Sequence, residues 1–270
     1  MWLPVVFARD EQVTGPAGVM SLLLSATMAG GLWLLFCTPL WNEVKRGFFK
    51  LTGSIVVLVG LSGFGSLLLA SPSGASADRA KWTILATTVL SAGWLMLLFF
   101  RAFTPARIVG ILSVPASVAM LWSLAALSDS GQPAAFLQLV CAAAFLGAVM
   151  DGLLLGHWYL TDRGLSRTPI NRFANILLVA TGIEAVAIIL QGFEPTGEQS
   201  ALNPLLTTGG LSNWIALGMV VATGLIAAII KGALRGQRAS AVQSATGFFY
   251  LAVLTAFTAV LSSLVGFLPG

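Results

Sequence analysis

Three ionisable side chains stand among apolar neighbours: Asp151 and His157 in the stretch MDGLLLGHWYLTDRGLSRTP (150–169), and Glu184 in TGIEAVAIIL. His157 is the single histidine of the chain. A carboxyl shielded from water has a poorly solvated charged form, which suits a group that must take up and release protons. Imidazole titrates near working pH, so His157 fits an entry point. Ionisable groups inside a membrane are costly and by default functional. Asp151, Glu184 and His157 are therefore the candidate residues for proton transfer or quinone contact. Their order, His157 then Asp151 then Glu184, suits a proton path inward from one face, with water bridging the gaps. Spacing limits this reading. Positions 151 and 157 lie about 120° apart around a helix, so Asp151 shares a face with Trp158, and His157 with Met150.

The segment HWYLTD, His157 to Asp162, has the H-x4-D spacing and resembles membrane glycerolipid acyltransferases over these six residues. The resemblance implies His157 as base and Asp162 as its orienter, activating a hydroxyl at the membrane interface. No phosphate-binding motif accompanies it. A bis-histidine haem is excluded by the lone histidine. No GxxxxGK[ST] motif is present to power an ATP-driven motor. Cys37 and Cys141 fall in different apolar runs outside any CxxC pair, near opposite ends of their helices, so the expectation is two packed thiols with no disulfide and no metal site.

These residues need an apolar scaffold to hold them, and the composition supplies one. Of 270 residues, 57% are hydrophobic and 9% charged, with mean hydropathy +0.92, where a soluble domain is about a quarter charged. Eight apolar runs, at about 17–40, 48–70, 82–101, 107–127, 134–158, 170–191, 211–232 and 242–267, are each long enough to span a bilayer at about 20 residues. Lipid offers the backbone no hydrogen bonds, so spanning runs must be helices. The expected fold is an all-α integral membrane protein, an eight-helix transmembrane bundle forming one polytopic domain.

Lys45, Arg46, Lys50, Arg101, Arg107, Arg163, Arg167, Arg172, Lys231, Arg235 and Arg238 cluster at one end, eleven of the fourteen basic residues. The positive-inside rule makes that end cytoplasmic and both termini extracytoplasmic. This distribution explains the net charge of +4 without a nucleic-acid partner. Trp41 and the Trp158–Tyr159 pair mark the inner interface, and Trp82 and Trp214 the outer one. Residues 1–16 read as an extracytoplasmic interfacial segment rather than a signal peptide.

The turns TPAR (104–107) and TPINR (168–172) share a device, with Thr104 and Thr168 as caps and Pro105 and Pro169 at the first helical position, and suggest a trace of an internal repeat. Gly60, Gly63 and Gly65 in the second run, with Ala26, Gly30 and Gly31 in the first, predict close packing of those two helices. The acidic loop 192–210 is either a docking surface or a solvated connector.

Three functions fit. The first is a membrane subunit of a respiratory or other electron-transfer complex in the inner membrane, handling protons or a quinone through its intramembrane carboxyls and relying on redox partner subunits. Eight helices with external termini resemble, at the level of fold, the membrane anchors of quinone-linked molybdopterin oxidoreductases. The second is a secondary transporter of a small solute or ion centred on Asp151 and Glu184. The third is a non-catalytic scaffold subunit.

Overall fold

The computed structural model describes residues 15–128, 131–162, 164–192, 209–236 and 239–265. The described chain is all helical: α1 (Gly15–Cys37), α2 (Leu40–Glu43), α3 (Arg46–Ala70), α4 (Ala75–Phe99), α5 (Phe103–Ala125), α6 (Gln132–Thr161), α7 (Thr168–Gln191), α8 (Gly209–Ala233) and α9 (Ala239–Val265). All but the short α2 are long and apolar enough to cross a membrane, which is the eight-helix membrane bundle expected. The segment 1–14, most of the 192–210 loop, Arg163 and Arg238 lie outside the described residues.

Several ends differ from expectation. α4 starts at Ala75, a full seven residues before the apolar run at 82, because its polar first turns wind on past the apolar stretch, with Lys81 bonding back to Asp78. α2 is a single turn between Pro39 and Val44. Neither threonine caps its helix: Ala102 precedes α5 and Arg167 precedes α7, both without a side-chain cap, so Thr104 and Thr168 lie inside the first turn.

The helices fall into two four-helix rings. α1 touches α3 and α5, and α4 lies between those two; α6 touches α7 and α9, and α8 lies between those. The rings meet through α1 and α6, with α9 also against α1 and α5 against α6. Accordingly α1 and α6 have 72% and 78% of their apolar stretches buried, against 28–44% for the other six. With three spans, α3, α4 and α5, between them, α1 and α6 run parallel.

The two rings repeat one layout. A shift of 117 positions, the one that carries Gly30 to Gly147, also brings Pro16 onto Pro133, Ala26 onto Ala143 and Trp41 onto Trp158. The same shift matches buried residues of α3 to buried residues of α7: Val56 to Phe173, Gly60 to Leu177, Gly63 to Ala180 and Leu67 to Glu184. Burial then keeps register in α4 and α8 (Ile84 with Val220, Ser91 with Ala227, Leu98 with Leu234) and in α5 and α9 (Gly110 with Phe249, Leu121 with Val260, Leu124 with Ser263). The TPAR and TPINR turns are not part of this correspondence, because they open α5 and α7, which occupy different places in their rings.

Residues on a two-fold axis touch their own equivalents. Two such pairs occur here. α1 and α6 cross at Gly30 and Gly147, where a methyl on Gly30 would sit 1.8 Å from the Ala143 carbonyl oxygen and one on Gly147 would sit 2.3 Å from the Gly30 carbonyl carbon. Lys45 pairs with Asp162 at 3.0 Å. The rings are thus related by a pseudo-two-fold running along the central helices, a parallel repeat in the membrane sense.

The expected glycine packing of α1 on α3 is present in part. Gly60 and Gly63 face Met28 and Ser25, but Gly30 serves the α6 crossing and Gly65 meets nothing within 4 Å.

Candidate functional site

Asp151 lies on α6 eleven residues from Asp162, so about 16 Å along the helix from the Lys45–Asp162 pair. Its side chain is fully buried, and neither carboxylate oxygen has a hydrogen-bond partner among the described residues. It faces the other ring. A methyl on Gly31 of α1 would lie 3.6 Å from Asp151 Oδ1 and 3.5 Å from Val56 Cγ2 of α3. The space that glycine at position 31 leaves is taken by the Met150 Cε methyl, 2.4 Å from where a side-chain methyl would stand, with the Asp151 carboxyl at its edge.

Glu184 lies elsewhere. It is fully buried on the inward face of α7. Gln138 Nε2 of α6 donates to Glu184 Oε1 and to Ser263 Oγ of α9, at 3.4 Å in each case. Glu184 Oε2 has no partner among the described residues. Gln138 and Asp151 are thirteen residues apart on α6, so about 20 Å in height and on nearly opposite faces, about 140° around the helix. Asp151 therefore looks into the seam between the rings and Glu184 into the core of the second ring. His157 is exposed at the basic end of α6 and joins neither. The side chains of the three sequence candidates are not brought together.

The basic end carries the charged contacts. Arg172 grips Glu43 through two hydrogen bonds of 2.7 and 2.8 Å. The Arg172 guanidinium holds the Glu43 carboxyl below its ordinary 4.5. Asp162 answers Lys45 of the other ring rather than orienting His157, so the acyltransferase-like arrangement implied by H-x4-D is not formed. Arg46 lies over the Trp41 ring at 4.2 Å and donates to the Trp41 carbonyl. Cys37 is exposed at the end of α1, contrary to the packed thiol expected, whereas Cys141 is buried.

Sequence reasoning missed Gln138 and Ser263. The available signal was a glutamine near the start of the apolar run that also holds Asp151. Among the described residues no group of three or more histidine, cysteine, aspartate or glutamate side chains could hold a metal ion. No protein-family model, curated protein or solved structure matches the chain.

Proposed function

We propose that the chain is a proton-handling, quinone-linked membrane subunit of an electron-transfer complex in the cytoplasmic membrane, with its basic loops cytoplasmic and both termini outside. The observation that carries the proton-handling part is Asp151: a fully buried carboxyl, both oxygens without a partner among the described residues, two-thirds of the way along the most buried helix. A lone charge in such a place must be matched by a proton, a cation or a ligand group. The distribution of basic residues supports the orientation. The lone histidine and the absence of a nucleotide-binding motif support reliance on partner subunits for redox chemistry.

One observation favours the transporter reading: Asp151 lies on the seam of a parallel repeat, where transporters hold their cargo. The backbone contact at Gly30 and Gly147 weighs against it, since it closes that seam at mid-length.

The test is isolation of the full chain from its native membrane in mild detergent. Co-purification of redox-active subunits and extractable quinone is the expected result, with Asp151→Asn slowing proton-coupled turnover at least about tenfold while leaving assembly intact. A chain that purifies alone and monodisperse overturns the complex. Partners that co-purify with turnover untouched by Asp151→Asn leave the scaffold reading in its place.

A further inference from the structure

The repeat makes each ring a control for the other. A residue that the fold requires should have a counterpart of similar chemistry at the equivalent place. Asp151 corresponds to Leu34, His157 to Leu40 and Glu184 to Leu67, all by the shift that relates Gly30 to Gly147. Ser263 corresponds to Leu124 through the burial register of α5 and α9. Leu67 and Leu124 are both fully buried. The first ring therefore closes this level of its core with two leucines, and the same layout in the second ring holds a glutamate and a serine. Gln138 stands opposite Ser21, which is also polar and buried, so this place differs between the rings in size rather than polarity. Packing alone does not call for Glu184 and Ser263, since the other ring fills both places with leucine.

The geometry points to this trio as a binding site for a monovalent cation, a proton or a sodium ion, present in the second ring only. Three helices contribute one oxygen-bearing side chain each: Gln138 from α6, Glu184 from α7 and Ser263 from α9. Glu184 Oε2 is buried and unpartnered, and the bonds to Gln138 are long at 3.4 Å. The carboxylate and the hydroxyl are hard oxygen donors, and a turn of the Gln138 amide, which here presents its Nε2 to both, brings its oxygen in as a third, the kind that suit a proton or a small alkali cation rather than a soft metal. Charge balance agrees. Cys141, one turn along α6 from Gln138, is the titratable neighbour. The described basic residues of α7 and α8 are Arg172, bonded to Glu43 at the basic end, and Lys231 in the last turn of α8, and α9 offers only the exposed Tyr250. No described cation neutralises Glu184 from within the chain, so a single positive charge from outside is what the site lacks. This assignment is independent of the electron-transfer reading, because it concerns the chain without partners.

The test uses the purified full chain in detergent. Infrared difference spectra are recorded across pH 5–10, with and without sodium chloride, and proton release on sodium addition is followed in weak buffer. The expected result is a protonated-carboxyl band that disappears in Glu184→Gln but persists in Asp151→Asn. If sodium displaces that band and releases close to one proton per chain, the ion is sodium in exchange with a proton; if sodium has no effect and only pH moves the band, the ion is a proton. Ser263→Leu should weaken sodium displacement, or shift the titration midpoint, at least threefold. Glu184→Leu should unfold at the same temperature as the native chain or above it, as the leucine pair of the first ring implies. Spectra of Glu184→Gln that match the native chain at every pH and salt concentration overturn the proposal. A Glu184→Leu chain that unfolds well below the native one, with normal titration in Ser263→Leu, also overturns it by making Glu184 a packing residue.

Discussion

At the residue scale, Gly30 and Gly65 make opposite predictions from the same substitution. An alanine methyl at Gly30 would collide with the Ala143 backbone, which has no rotamer through which to yield. Gly30→Ala should therefore lower unfolding free energy in detergent by about 3 kcal/mol or more, the upper range for forced overpacking. Gly65→Ala meets open space and should stay within about 0.5 kcal/mol of the native chain. Asp151 and Glu184 were visible in the sequence because a formal charge inside an apolar run stands out in one dimension. Gln138 and Ser263 were not. Neutral polar side chains recur throughout these spans and usually bond to their own helix four residues back, as Thr27, Thr181 and Thr223 do. Only the third dimension separates a serine that satisfies its own backbone alone from Ser263, which bonds the Val260 carbonyl and also accepts from the Gln138 amide that reaches Glu184.

At the scale of elements, the eight spans were legible from length and apolarity because lipid leaves the backbone no alternative to helix. α2 was not, since a single turn carries no periodicity to read. Its function is to place Glu43 within reach of Arg172 and so join the rings. The pH dependence of this joint follows from its chemistry. The folded Glu43 carboxyl is held below 4.5 by Arg172. Its pairing therefore contributes fully above that pH and is lost as pH falls through the lowered value. With both side chains about a quarter exposed, the contribution is about 0.5–1 kcal/mol. Thermal unfolding followed from about pH 6 to pH 3 should show the midpoint of the native chain falling more steeply than that of Arg172→Gln. Equal slopes in the two chains would show that the pair contributes nothing.

At the scale of the whole molecule, the repeat was not legible in advance. The matching turns TPAR and TPINR pointed to the wrong pair of helices, because helix-start chemistry selects the same residues at unrelated turns. The correspondence lies in burial register and in ring position, which only the packed molecule displays. One prediction belongs to this scale. Lys45 and Asp162 are equivalents in contact, so exchanging them preserves the pair. Lys45→Asp or Asp162→Lys alone should each destabilise by up to about 1 kcal/mol, given that Lys45 is largely exposed. The double exchange should return to within a few tenths of native stability, measured as a double-mutant cycle. A double exchange no better than the sum of the singles would deny that the two charges meet.

The close approach of α1 and α6 at Gly30 and Gly147 also has a mechanical side. A fulcrum at the middle of α6, with Lys45–Asp162 and Glu43–Arg172 acting as latches at the basic end, makes the described part of the two rings a one-sided lever. Rocking of the described helices costs least away from those latches, so breathing between them opens first at the end nearer Glu184, while Asp151 stays beside the hinge.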